Sequence, residues 1–178
     1  MTVTFLTGGA RSGKSYAAVL AAAEIGGDVT FVATATALDD EMTARIERHR
    51  AERPSSWTTI EEPVDLTVEL APIADAETVI IDCLTLWVTN QLLNDSAWAV
   101  IEERAHDLAR WASARTGHTF IISNEVGSGI VPLGELTRAF QDALGTVNAI
   151  ISNAADRAFV FIAGRPLALG HTSDIGMP

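Results

Sequence analysis

Apolar residues fall along this chain in five short runs separated by polar, helix-forming stretches. The runs cover residues 3–6, 29–33, 78–81, 119–123 and 158–163 and are rich in β-branched and aromatic side chains. They are nearly continuous in hydrophobicity, as strands covered on both faces are. Between them apolar positions recur at helical spacing. Trp98, Ile101, Ala105, Leu108 and Ala112 make one stripe, and Leu136, Ala139, Phe140, Leu144, Val147 and Ile151 make another. Strands alternating with helices predict an α/β fold around a mostly parallel sheet flanked by helices. Ligands of such sheets sit beyond the carboxyl ends of the strands, which directs attention to the residues following each run.

The first run leads into Gly8-Gly9-Ala10-Arg11-Ser12-Gly13-Lys14-Ser15. These eight residues fit G-x-x-x-x-G-K-[ST], the P-loop that wraps nucleoside triphosphate phosphates. Glycines let backbone N–H groups turn toward the anion, Lys14 adds a point charge for the β- and γ-phosphates, and the Ser15 hydroxyl is suited to Mg²⁺. Residues 16–24 are helix formers, so strand, loop and helix follow in the order that aims a helix N-terminus at phosphate. A P-loop NTPase fold that binds a nucleotide is the expectation.

Composition narrows the partners. At 178 residues the chain suits one domain, expected over residues 1–170, with 171–178 as an irregular tail. A formal net charge of −11 argues against nucleic acid, whose phosphates most of the surface would repel. ATP and GTP are not excluded, because loop and metal act locally. The single cysteine, Cys83, allows no internal disulfide and suits a reducing cytosol. No apolar run approaches the ~20 residues of a membrane span, and no signal-peptide pattern opens the chain. A cytoplasmic location is expected.

Two further segments carry candidate chemistry. Residues 79–81 form an apolar strand ending in Asp82, where P-loop enzymes place the carboxylate that holds Mg²⁺; the same carboxylate could instead cap a helix starting near Leu84. Asp39 or Asp40 can cap a helix through residues 41–50 that sets Met42, Ile46 and His49 on one face. From the residues alone, His49 reads first as a histidine on the inner edge of an amphipathic helix, bonded to a carbonyl. Arg45, Arg48, Arg50 and Arg53 read as a solvated face paired with Glu41, Glu47 and Glu52.

The loop, Ala33-Thr34-Ala35, residues 38–42, Arg45-Ile46, His49-Arg50, Arg53-Pro54, Trp57 and Glu61 together resemble one known family. Asp82-Cys83-Leu84-Thr85, Val88-Thr89-Asn90 and the segment Ser123-Asn124-Glu125-Val126-Gly127-Ser128-Gly129-Ile130-Val131-Pro132 extend the likeness to about residue 165. The family is that of the bifunctional adenosylcobinamide kinase/adenosylcobinamide-phosphate guanylyltransferases of cobalamin biosynthesis. The resemblance implies a RecA-like sheet, a homotrimer and two reactions. The γ-phosphoryl of ATP or GTP passes to adenosylcobinamide; GTP then donates GMP to that phosphate through a GMP-histidine intermediate, giving adenosylcobinamide-GDP and pyrophosphate. The matching histidine is His49, with Lys14 the second catalytic residue. The implied nucleotide contacts are Gly8, Gly9, Ala10, Arg11, Ser12, Gly13, Lys14, Ser15, Thr34, Ala35, Thr36, Arg50, Ala51, Glu52, Arg53, Glu61 and Asp82, with Ser15 and Asp82 at Mg²⁺.

Two other readings compete. One is a kinase without a histidine intermediate. The other is a RecA-type motor or binding module using Arg11 or Arg45 as an arginine finger. His106, His118 and His171 lie on a polar helix face, at a turn and in the tail, and are expected to have no catalytic role.

Overall fold

Val79, Ile80 and Ile81 are each fully buried, which places their strand in the middle of the sheet and explains why it shows no polar alternation. The computed structural model describes residues 2–37, 40–51 and 53–176, and for Glu41, Arg45 and Thr172 the backbone alone. In chain order the elements are β1 (Thr2–Gly8), α1 (Lys14–Ile25), β2 (Val29–Ala33), α2 (Asp40–Ala51), β3 (Thr58–Glu61), α3 (Leu66–Leu70), β4 (Thr78–Asp82), α4 (Leu84–Leu93), α5 (Trp98–Ala114), β5 (His118–Ile122), α6 (Glu135–Ala154), β6 (Arg157–Ile162) and β7 (Arg165–Leu169).

The seven strands form one sheet in the order β3-β2-β4-β5-β1-β6-β7, parallel except for β7 against β6. Asp82 lies beside Ala33 of β2 and Ile122 of β5, so the carboxyl ends of β2, β4 and β5 finish in line, while β1, with Leu6 beside Ile122, runs two residues further to Gly8. The α/β, P-loop expectation holds.

Successive side chains alternate between the faces. Val3, Phe5, Val32, Val79, Ile81 and Ile121 join the buried faces of α3, α4, α5 and α6 in one core. Leu6, Phe31, Ala33, Ile80, Phe120 and Ile122 meet Ala18 and Ala22 of α1 in the other. Each fully buried aliphatic side chain contributes roughly 1.5–3 kcal/mol relative to exposure. Buried Arg115, stacked on Trp111 at 4.6 Å, donates to the carbonyls of Ala74 and Glu77 at 3.0 and 2.6 Å and ties down the loop before β4.

Three elements lie outside the five-strand reading. β3 carries one apolar residue, Ile60, and runs along an edge of the sheet, so neither continuous nor alternating hydrophobicity marks it. β7 is exposed throughout at the other edge. Its signal is the turn: Ala163 and Gly164 both take positive φ, as a two-residue hairpin of the primed type requires, and Ala163 therefore belongs to the turn and not to the strand expected over 158–163. The third is the short helix α3. The stripes also need trimming. Ile101, Ala105, Leu108 and Ala112 are buried as expected, as are Leu144, Val147 and Ile151, but Trp98, Leu136 and Ala139 are exposed. A 20-residue α6 spans about 30 Å against about 17 Å for the five-residue β5, so its first turn runs past the sheet. The stretch expected to be irregular at the C-terminus contains a 3₁₀ turn, Thr172–Ile175, capped by the His171 side chain.

Candidate active site

The loop between β1 and α1 is shaped by two glycines. Gly8 has φ of +134°, and a Cβ there would stand 2.4 Å from the Phe161 carbonyl oxygen, so β1 and β6 close up only around glycine. Gly13 caps α1 with φ of +96°. Between them Arg11 holds a left-handed backbone at φ 56°. The Lys14 side chain is buried inside the loop, where Nζ donates to the carbonyls of Gly8 and Gly9 at 2.9 and 2.8 Å and to Ser12 Oγ at 3.2 Å. The ammonium is thus held at the centre of the turn that faces phosphate in P-loop proteins.

A cavity of about 390 Å³ opens beside this loop at the carboxyl ends of β2, β4 and β5. Its walls bring together Ala10, Arg11, Ser12, Gly13, Lys14 and Ser15 from the loop, Ala35 after β2, Asp82 from β4, and His49 and Arg53 from α2 and the turn after it. His49, partly buried on the inner edge of α2, lines the cavity together with Ser15 and Asp82. Met42 and Ile46, on the same helical face as His49, line it too. Arg53 lays its guanidinium over the Phe31 ring at 3.4 Å, which orients it at the cavity wall.

The remaining candidates stand further out. Gly8, Gly9 and Thr36 lie outside the lining. Thr34 is buried and structural in its contacts: its hydroxyl donates to the Cys83 carbonyl at 2.7 Å and accepts from the Cys83 N–H at 2.8 Å, clamping the turn after Asp82. Asn90 supports the same corner by donating to the carbonyls of Thr34 and Pro63 at 2.9 and 3.1 Å. Arg50 pairs with Glu61 on the exposed side of α2 and β3, and Ala51 is exposed beside it. Glu52 and the candidate cap Asp39 lie outside the described residues. Asp82 makes no cap on α4, whose N-cap is Cys83.

Sequence reasoning missed several lining residues: Tyr16, Arg48, Leu86, Ile122 and Asn124. The signal for Asn124 lay in the distinctive segment after β5. Arg48 carried none beyond its place in a basic cluster. His106 borders a separate depression of about 550 Å³ between α5 and α6, and neither it nor His118 nor His171 reaches the cavity beside the loop.

Two nucleophile types share that cavity, and the surroundings of Cys83 set the thiol aside. Burial, then the neighbouring Asp82 carboxylate, push the Cys83 thiol up to about 11, so it stays protonated and unreactive at neutral pH. The neutral imidazole of a histidine offers a free lone pair at the same pH. For a metal, the cavity presents the Ser15 hydroxyl and one carboxylate, Asp82, with the Ser12 and Tyr16 hydroxyls also in its walls, and no group of three His, Cys, Asp or Glu side chains that could hold a metal occurs among the described residues. That sparse, all-oxygen set suits Mg²⁺, which keeps waters and takes other ligands from substrate phosphates.

Comparison with known proteins gives a consistent result. The family model described as cobinamide kinase / cobinamide phosphate guanyltransferase matches residues 4–169. The chain is 44% identical over 165 residues to the bifunctional adenosylcobalamin biosynthesis protein CobP of Pseudomonas aeruginosa, covering 92% of this chain and 95% of that one. It is 35% and 36% identical to the bifunctional adenosylcobalamin biosynthesis proteins CobU of Escherichia coli and Salmonella typhimurium, in each case over 89% of this chain and 94% of the relative.

Proposed function

The chain belongs to the cobinamide kinase / cobinamide phosphate guanyltransferase family, and from that premise we propose how one cavity serves both of the family's reactions. The enzyme is a transferase with a kinase and a nucleotidyltransferase activity in adenosylcobalamin biosynthesis. In the first reaction the γ-phosphoryl of ATP or GTP moves to the alcohol of adenosylcobinamide. Lys14 and the loop amides hold the triphosphate and offset charge on the oxygens around the transferring phosphorus. Ser15 and Asp82 are the residues that would hold Mg²⁺, which when bound neutralises phosphate charge.

In the second reaction an imidazole nitrogen of His49 attacks the α-phosphorus of GTP. The N–P bond forms, the bond to the α,β-bridging oxygen breaks, and pyrophosphate leaves with that electron pair. The phosphate of the corrinoid then takes the GMP group from His49, yielding adenosylcobinamide-GDP and a free imidazole. Arg53 stands on the cavity wall, where its guanidinium can bind departing phosphate oxygens. The observation that carries this reading is the shared cavity of Lys14, Ser15, Asp82 and His49.

A homotrimer in the cytoplasm completes the proposal. It rests on the family resemblance, and the exposed Ile130, Val131, Leu133 and Leu136 offer an apolar surface for assembly; sedimentation equilibrium measures the stoichiometry. Among the described residues no helix is long and apolar enough to cross a membrane. The functional test supplies cobinamide with γ-labelled and then α-labelled GTP. Label entering the corrinoid from both positions is expected; transfer from the γ position alone would reduce the enzyme to a kinase, and release as inorganic phosphate without transfer would leave only a hydrolysing module.

A further inference from the structure

Side-chain direction after β5 follows from the strand's period of two. Phe120 and Ile122 face α1, while Ile121 faces the opposite core. The ladder to β1 continues past the last strand residue, because the Ser123 N–H donates to the Leu6 carbonyl at 2.9 Å and the Glu125 N–H donates to the Gly8 carbonyl at 3.2 Å. Asn124, between these two bonds, therefore presents its side chain on the face of Ile122, toward the phosphate loop, and both residues line the cavity. Ser123 is fully buried on the other face.

The backbone of Asn124 is fixed from two more directions. Its N–H donates to Thr85 Oγ1 of α4 at 2.8 Å, and its carbonyl accepts from Asn148 Nδ2 of α6 at 3.0 Å. Four hydrogen bonds from β1, α4 and α6 thus hold residues 123–125, two of them on the Asn124 backbone itself, whereas the Asn124 side-chain amide has no hydrogen-bond partner among the described residues. A neutral amide offers Nδ2–H donors to an anion without adding a second negative charge beside Asp82. In the sheet, β5 lies between β1, which leads into the loop, and β4, which ends in Asp82, so Asn124 stands between the two groups that bracket a γ-phosphoryl.

We propose that Asn124 is a further catalytic residue of the phosphoryl transfer, donating from Nδ2 to a γ-phosphoryl oxygen, with Thr85 and Asn148 as its positioning residues. The proposal rests on the kinase reading above. In that step the acceptor oxygen bonds to the γ-phosphorus as the bond to the β,γ-bridging oxygen breaks, and the nucleoside diphosphate leaves with the electron pair. The hydroxyl proton passes to a transferred phosphoryl oxygen and on to solvent. Asn124 neither gains nor loses a proton; its donor strengthens as charge gathers on the equatorial oxygens.

The test compares N124A with the unsubstituted enzyme in cobinamide phosphorylation and in self-labelling by α-labelled GTP. The expected result is a fall in kinase kcat of about a hundredfold, as for loss of one preorganised donor, with the nucleotide KM changed less than about threefold and self-labelling retained. A fall in kcat below tenfold, or a loss carried wholly by KM, overturns the role of Asn124. Unsubstituted enzyme that phosphorylates no cobinamide overturns the kinase reading itself, a distinct outcome. Should N124A not fold, N124D keeps the shape, replaces the donor with an acceptor, and is expected to lose at least as much kcat. For the positioning role, T85V is expected to lower kcat about tenfold at unchanged KM, and T85S, which keeps the hydroxyl, to restore it. Lower thermal stability with kcat intact would make Thr85 structural only.

Discussion

The two halves of the cavity are held in different ways. The phosphate cradle is over-determined: Gly8 is pressed against β6, Lys14 is bonded into its own loop, Thr34 clamps Cys83, and the strands behind them are fully buried. Across the cavity, α2 carries His49 on a helix none of whose described side chains is buried; Met42, Ile46 and His49 are only partly covered. The contrast suits the proposed chemistry. Transfer of a γ-phosphoryl needs fixed charge around one phosphorus, while attack on the α-phosphorus needs a nucleophile brought to a different atom of the same triphosphate. A rigid cradle and a lightly held helix supply the two, since lightly packed elements open at the smallest free-energy cost.

The largest effect should come from removing the proposed nucleophile. His49→Ala is expected to abolish protein labelling from α-labelled GTP while kinase kcat stays within about threefold, because Lys14, Ser15 and Asp82 are carried by α1 and β4 rather than by α2. Equal loss of both activities in a folded variant would erase the distinction between the halves. Lys14→Met is expected to do the converse to the kinase, lowering kcat/KM by roughly 10²–10³, the range for removing a preorganised charge; steady-state kinetics decide it.

Stability should divide along the same line. Gly8→Ala drives a methyl into the Phe161 carbonyl and forces a left-handed backbone, a cost of about 2–3 kcal/mol to global unfolding in urea. Ala44→Gly on the exposed side of α2 costs the helix about 1 kcal/mol. That loss should appear as faster amide exchange confined to α2, with the urea midpoint nearly unchanged. A cooperative shift of the whole molecule by Ala44→Gly would mean α2 is bound as firmly as the cradle.

The smallest effect concerns Cys83. Its thiol, raised from 9.0 to about 11, keeps its proton in the folded chain at pH values where an unfolded chain has lost it. The associated stability is complete below pH 9 and is lost as pH rises toward 11. Iodoacetamide should modify the native thiol about a hundredfold more slowly than the unfolded one at neutral pH, and Cys83→Ala should leave self-labelling by GTP intact.

Much of the cradle was legible in the sequence. Glycine spacing, a lysine and a strand-final Asp82 encode local geometry, and continuous apolar runs encode buried parallel strands. The edge strands β3 and β7 were not, because an edge needs little hydrophobicity, although the Ala163–Gly164 turn marked one of them. The shared face of Met42, Ile46 and His49 was visible as helical spacing, but which way that face pointed depends on how α2 is set against the sheet. Asn124 was harder still: its direction follows from strand alternation continued beyond β5, and its fixation from α4 and α6, which are distant in sequence.

The most direct measurement is peptide mass spectrometry of the intact chain after exposure to GTP and Mg²⁺ without corrinoid. The account predicts one acid-labile, base-stable GMP adduct, carried by the peptide containing His49 and discharged when phosphorylated cobinamide is added. An unmodified His49 under conditions where guanylyl transfer proceeds, or an adduct on another residue, would contradict it.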